Sequence, residues 1–282
     1  MNSPDDIAAA GQLACLLEVS APKPGNVSPN LHFHDTRYED FLASAVAIGP
    51  ALAAAGARPL GATIRSAVEA TARWTRSNTN LGIILLLAPL ARAAARAGGD
   101  LRARLAQVLD ETTLADAADA YAAIRLARPG GLGHSATEDL AAPPSVSLRE
   151  AMELAADRDA VAREYVTDFA MTFEIGVPAV RVARADGLPW TDTVVEAYLR
   201  LLGAQPDTHI ARKLGPEAAT LVSRRAQEVQ AAGGVRSIAG REALAAFDGE
   251  LRDATNSRNP GTTADLICAA LFIVIIEGLG ER

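Results

Sequence analysis

Leu266-Ile267-Cys268-Ala269-Ala270-Leu271-Phe272-Ile273-Val274-Ile275-Ile276 carries no charged residue and is bounded by Asp265 and Glu277. A second greasy stretch, Leu81-Gly82-Ile83-Ile84-Leu85-Leu86-Leu87-Ala88-Pro89-Leu90, is interrupted by Pro89. Both are short of the roughly 20 residues that span a bilayer. Apolar on every side, they predict helices buried all round, with amphipathic helices wrapped about them. The composition agrees: 60 of 282 residues are alanine and only 4% are aromatic. Alanine loses no side-chain entropy in a helix, whereas sheet interiors draw on the β-branched and aromatic residues that are thin here. The expectation is an all-α fold, a single compact multi-helix domain over residues 1–282 with buried central helices, and an all-β fold is excluded. With 49% hydrophobic residues the chain has ample core. It shows neither a fixed-period repeat nor a low-complexity segment, which weighs against a solenoid.

Lysine and arginine number 27 against 34 aspartates and glutamates, a net charge of −7, so no broad basic surface awaits a nucleic acid and any anion must be held locally. Cys15 and Cys268 sit in apolar stretches without metal-type spacing, and read as reduced core residues of a cytosolic protein rather than a disulfide framework. Residues 1–6 are acidic and polar, unlike a signal peptide. The expected setting is cytoplasmic, with no membrane and no nucleic acid as partner.

Helical patterns fall at about 5–19, 38–56, 61–76, 81–97, 100–109, 113–127, 148–157, 159–174, 192–203, 215–231, 240–254 and 263–279. Ser147-Leu148-Arg149-Glu150 fits a capping box, and Thr191 before Asp192 marks another start. Residues 180–183 fit either a short strand or a helical turn. Gly, Pro, Asn and His gather in the segments 21–35, 77–82, 128–144, 205–215 and 256–265, and loops of this kind often carry function.

In Lys23-Pro24-Gly25-Asn26, proline stops the first helix, glycine lets the backbone approach a ligand and lysine offers a point charge for phosphate; a plain surface turn is the other reading. His32, His34 and Asp35, followed by Glu39 and Asp40, could hold a divalent ion or serve a helix start. Ser77-Asn78-Thr79-Asn80-Leu81-Gly82 leads into the first buried helix with more polar side chains than one N-cap requires, the pattern of an anion-binding helix start. Asn256 through Asp265 opens the second buried helix in the same way: Gly261 admits a phosphate, Thr262 and Thr263 donate to it, Arg258 could add a charge, and Asp265 caps the helix or takes magnesium. Asp207-Thr208-His209-Ile210-Ala211-Arg212-Lys213 packs an acid, an imidazole and two cations together, either a solvated helix or part of a site. The loop from Arg128 to His134, followed by Glu138 and Asp139, is no dinucleotide fingerprint. Walker A, GxSxG, HExxH and kinase signatures are absent. From the residues alone, the reading ends at a helical pocket for anions.

Together these loops resemble the triphosphoribosyl-dephospho-CoA synthase family along nearly the whole chain. Lys23-Pro24-Gly25-Asn26-Val27 looks like its KPG-x-V segment, with His34-Asp35 near its following His/Asp stretch. Asn78-Thr79-Asn80-Leu81-Gly82 is similar to NTHKG, Asp207-Thr208-His209 with Arg212 to DTN-x-x-x-R, and Asn259-Pro260-Gly261-Thr262-Thr263-Ala264-Asp265-Leu266 to SPGGSADLL. Leu81 takes the place of the family's lysine, Thr262-Thr263 that of Gly-Ser, and Arg163-Glu164-Tyr165 matches only loosely its arginine-glycine-glutamate stretch. The NTNLG form looks like a divergent branch associated with one-carbon cofactor pathways.

The resemblance implies attack of the 2′-hydroxyl of dephospho-CoA on C1′ of ATP, with release of adenine. It implies a triphosphate clamp of Lys23, Arg212, Gly261, Thr262 and Thr263, with Gly25, Asn26 and Asn259 also binding substrate. Asp35 and Asp265 are the implied magnesium ligands, Asp207 the implied base or cation stabiliser with His209 as the other catalytic residue, and Asn78, Thr79 and Asn80 the nucleoside or phosphate contacts. The implied partners are ATP and dephospho-CoA or another hydroxyl acceptor, a homo-oligomer remaining open. Two other readings are transfer of a phosphoribosyl unit to a methanopterin- or methanofuran-like cofactor precursor, and a non-catalytic nucleotide-binding helical protein. Lys23, Asn78, Arg212 and Thr262, far apart in sequence, are expected to converge on one pocket.

Overall fold

The computed structural model describes residues 2–130 and 139–278, and it is all-α: among these residues the only strand-like pairing is an isolated bridge between Ser28 and Leu31. In chain order the helices are α1 (Pro4–Ser20), α2 (Tyr38–Ala47), α3 (Gly49–Ala53), α4 (Leu60–Ala72), α5 (Leu81–Ala94), α6 (Leu101–Asp110), α7 (Leu114–Ala127) and α8 (Leu148–Glu153). After α9 (Ala160–Val166), a π-helical turn (Thr172–Gly176) runs into α10 (Val177–Ala185). Next come α11 (Trp190–Ala204), α12 (Thr208–Leu214), α13 (Pro216–Ala231), a 3-10 turn (Gly234–Arg236), α14 (Ile238–Leu251) and α15 (Gly261–Gly278).

The two greasy stretches form the centre. Residues 266–273 of α15 are at most 1% exposed, covered by α1, α5, α10 and α11. Residues 83–91 of α5 are likewise buried, against α15, α6, α4 and α1. At 18 residues and a mean hydropathy of 1.7, α15 is longer than its apolar stretch suggested, long and apolar enough to cross a membrane. Here that apolar surface is spent on the core, with 67% of the helix buried inside the protein. Across the contact of α1 with α15, Cys15 and Cys268 lie with their Sγ atoms 3.7 Å apart, both free thiols and both buried.

Among the described residues, Pro50 and Pro89 each leave a helical carbonyl that another element satisfies. An α-helical carbonyl accepts from the N–H four residues on, and proline has none. Pro89 therefore orphans the Leu85 carbonyl inside α5, and the Tyr165 hydroxyl of α9 donates to it at 2.6 Å. Pro50 likewise strands the Val46 carbonyl, which accepts from Gln12 Nε2 of α1 at 2.9 Å. This is why the helix expected over 38–56 is two pieces, α2 and α3, joined at Ile48.

The expected helix 159–174 is also broken. It ends at Val166, and Asp168 and Phe169 adopt φ of 50° and 60°. The fully buried Glu164 carboxylate then accepts from the backbone N–H of Met171 and Thr172, both at 3.0 Å, and from Thr172 Oγ1 at 2.5 Å, starting the next helical run. Residues 180–183 are helical within α10, and the segment 205–215 contains α12. The Ser147–Glu150 capping box is formed. Helix α11 starts at Trp190, just ahead of the Thr191-Asp192 signal. His134, Glu138 and the helix end expected at 279 lie outside the described residues.

Removing the Tyr165 hydroxyl leaves the Leu85 carbonyl buried and unpaired, so Tyr165→Phe is expected to cost about 1–3 kcal/mol in urea unfolding. In a Pro89→Ala background, where the substituted residue supplies the missing N–H, the loss of the hydroxyl should cost clearly less.

Candidate functional site

The starts of α5 and α15 open on the same cavity of about 420 Å³, closed further by the end of α1 and by α7, α8, α9 and α12. One part of its wall is apolar, from Tyr121 and Ile124 of α7 to Leu148, Met152 and Leu154 around α8. The rest is polar. Ten of the fifteen residues singled out from sequence line it: Asn26, Asn78, Thr79, Asn80, His209, Arg212, Asn259, Gly261, Thr262 and Asp265. Two helix N-termini meeting at one cavity present first-turn N–H groups that have no partner inside their helices, a setting that favours anions.

At the α5 start Asn78 Oδ1 accepts from Leu81 N–H at 3.1 Å. Thr79 pairs with the Ser44 hydroxyl at 2.5 Å, and Asn80 Nδ2 donates to Thr71 Oγ1 at 3.2 Å. Gly82 is required by close approach: a Cβ there would stand 2.1 Å from Asp265 Oδ2. At the α15 start Thr262 Oγ1 accepts from the Thr208 hydroxyl at 3.2 Å. Asn259 Oδ1 is buried without a hydrogen-bond partner among the described residues.

Five residues expected in the site lie off the cavity wall. Lys23, 1% exposed, is buried against α1: its Nζ pairs with the Glu18 carboxylate at 2.9 Å and donates to the Glu18 and Ala21 carbonyls. The lysine thus compensates Glu18, which does face the cavity, and does not itself reach a phosphate there. Gly25, with φ 76°, turns the chain toward α14 and not toward a ligand: its N–H donates to Asp248 at 2.8 Å, and a Cβ would lie 3.0 Å from both Leu251 and Pro260. That turn places Asn26 on the cavity wall, its amide held by the Tyr198 hydroxyl at 3.0 Å. Asp35 is exposed, its side chain 60% accessible beside His34.

Asp207 and Thr263 are bound to each other. Asp207 Oδ1 accepts from His209 N–H at 2.8 Å and Ile210 N–H at 3.1 Å, capping α12, while Oδ2 accepts from Thr263 N–H and Oγ1, each at 2.7 Å. With its oxygens taken by four donors and 2% of the residue exposed, Asp207 is an anchor for two helix starts and has no free oxygen for a base. Burial raises its carboxyl above the usual range, opposed by those same hydrogen bonds.

Sequence reasoning missed Glu18, Arg158 and Asp159 on the wall. Asp159 caps α9 through Oδ1 and holds Arg212 through Oδ2 at 2.5 Å. Its cap is a legible signal at a helix start, but its grip on Arg212 is a tertiary contact. Arg163, Glu164 and Tyr165 lie off the cavity wall. Asp265 has no ion-pair or hydrogen-bond partner among the described residues, and burial together with Glu18, Asp207 and Asp159 pushes its carboxyl well above the usual range, eased by Arg212. Among the described residues no three His, Cys, Asp or Glu side chains cluster as a metal site.

The chain belongs to the ATP:dephospho-CoA triphosphoribosyl transferase family (CitG), whose pattern matches residues 4–282. It is 29% identical over 201 residues to 2-(5''-triphosphoribosyl)-3'-dephosphocoenzyme-A synthase of Klebsiella pneumoniae, covering 71% of this chain and 64% of that protein. It is 33% identical over 105 residues to a probable synthase of the same name from Stutzerimonas stutzeri, covering 37% of this chain and 36% of that protein. The chain thus spans little more than a third of one relative's length and just under two thirds of the other's. A crystal structure from Archaeoglobus fulgidus, provisionally named triphosphoribosyl-dephospho-CoA synthase, superposes with a TM-score of 0.64 at 27% identity, covering 84% of this chain and 99% of that one.

In an Asp207→Asn variant the amide turns a donor toward groups that must themselves donate. Loss of about 2–4 kcal/mol of stability is expected, measured by thermal or urea unfolding; a free catalytic base would leave stability nearly unchanged. Burial, Lys213 and Arg212 lower the His209 imidazole to about 3, against roughly 6.5 when unfolded. The unfolded chain therefore takes up this proton first as pH falls through about 6.5, and stability is lost on acidification. Between about pH 8 and pH 5 the wild type should lose about 1–2 kcal/mol more than His209→Gln.

Proposed function

We propose that this cavity transfers the triphosphoribosyl group of ATP to 3'-dephospho-CoA and releases adenine, making a prosthetic-group precursor. The observation that carries the reading is the meeting of the α5 and α15 N-termini with Arg212 around one cavity, in a chain of this family. The helix starts, Asn78, Asn80, Asn259 and Thr262 bind the triphosphate, and the apolar wall takes a heterocycle. In the reaction the acceptor oxygen bonds to C1′, the bond from C1′ to the adenine nitrogen breaks, and the hydroxyl proton passes to the departing base. Holding both substrates in line and matching charge that develops in the transition state are the contributions a fixed cavity makes.

Magnesium fits Asp265, whose carboxylate lines the cavity with no ion pair among the described residues, because this ion is commonly held by one or two carboxylates and the substrate's phosphates. When bound it supplies positive charge to the triphosphate. Asp35, exposed and off the cavity, does not fit that role.

Leu81 favours a second reading. It lines the cavity where the family pattern has lysine, so transfer of a phosphoribosyl unit to a methanopterin- or methanofuran-like precursor is the alternative. Incubation with ATP, magnesium and dephospho-CoA should release adenine in proportion to acceptor consumed. Adenine release only with another acceptor favours the second reading, and ATP-induced thermal stabilisation without adenine release from any acceptor leaves the non-catalytic nucleotide-binding one. Arg212→Ala should weaken ATP binding about tenfold or more, while Arg224→Ala, on the exposed side of α13, should leave it unchanged.

A further inference from the structure

We propose that His209 is a fixed, neutral hydrogen-bond donor, which presents Nε2–H to a phosphate oxygen in the cavity, and that Arg212 sets this tautomer as a positioning residue. The chain of contacts begins at Asp159, whose Oδ2 accepts from one Arg212 nitrogen at 2.5 Å. The other terminal nitrogen of that guanidinium lies 3.3 Å from His209 Nδ1. A guanidinium has only donors, so Nδ1 must accept, and the single proton of the neutral ring stands on Nε2. No described residue bonds Nε2 and it is not sealed from solvent, so it opens on the cavity that His209 lines.

Arg212 and the α15 start flank the ring. The α15 start closes its back, where a Cβ on Gly261 would lie 3.4 Å from the imidazole Cγ, and its own backbone N–H is held by Asp207. Taking a second proton would displace Arg212 and put a third positive charge beside Arg212 and Lys213, in keeping with the depressed basicity of this ring. His209 is thus unsuited to general acid or base work and suited to donating to an anion at an electropositive helix start. The donor role rests on the nucleotide reading of the cavity; the tautomer does not.

Nitrogen-15 NMR of the imidazoles tests both halves. His209→Gln identifies the signal among the four histidines. The ligand-free wild type should show an unprotonated Nδ1 and a protonated Nε2 at neutral pH, and Arg212→Met should let the Nδ1–H form appear, with Arg212→Lys restoring part of the original state. A protonated Nδ1 in the wild type, or an unchanged tautomer in Arg212→Met, overturns the proposal. Inorganic tripolyphosphate should then shift the Nε2–H signal, and His209→Ala should weaken its binding about tenfold, with His209→Gln, which keeps an N–H donor, recovering part of the loss. If tripolyphosphate moves the Asn78 or Asn80 amides and leaves Nε2–H in place, the donor role is wrong. If neither tripolyphosphate nor ATP moves any cavity signal, the nucleotide reading and the donor role fall together, and the tautomer is judged on the ligand-free spectra.

Discussion

A single buried carboxylate joins the start of α12 to the start of α15, and both carry residues of the cavity wall. Asp207 accepts from two backbone N–H groups of α12 and from the N–H and hydroxyl of Thr263 on α15. An ionised group so deep would be costly without such partners; with four donors and two positive helix ends around it, it is satisfied in place. The bond to Thr263 fixes where α15 begins, and so aims Thr262 and Asp265 at the cavity. The bond to α12 sets His209 and Arg212 on the same wall. The charge here works by geometry, turning donors of two helices toward one space.

Around that junction the chain repeats one device. Where proline strands a helical carbonyl, a side chain from a distant helix supplies the missing donor: Tyr165 for Leu85, Gln12 for Val46. Each repair binds two helices that mostly apolar packing alone would leave free to slide. Local breaks in the hydrogen-bond ladder thereby become long-range positional constraints. At Gly82 the device is reversed, since the missing side chain is what lets the Asp265 carboxylate approach α5.

Much of this was legible in the sequence. The runs 81–90 and 266–276 marked the central helices because apolarity on all sides has no other place in a folded domain. The polar starts Asn78-Thr79-Asn80 and Asn259-Pro260-Gly261-Thr262 were visible because they exceed what capping requires. The errors share a cause. Lys23 looked like a phosphate ligand because a lysine beside Pro-Gly reads as exposed, and nothing local says that Glu18, one turn back, buries it. Asp207 looked like a base because four donors from two helices cannot be seen in a linear pattern. Asp159 went unnoticed because half of its work is done for Arg212, a partner 53 residues away. Residue types announced which chemistry was present; which group is free to act is a property of contacts that form only on folding.

The facing thiols of Cys15 and Cys268 carry a last consequence. Burial and the neighbouring sulfur push the Cys268 thiol well above its usual range, so thiolate is scarce in the closed protein. An alkylating reagent can reach these sulfurs only when α1 parts from α15, the packing that surrounds the central helix. Their modification rate is therefore an internal clock for opening of the core, readable without an added probe, and any ligand that tightens the closed state should slow it.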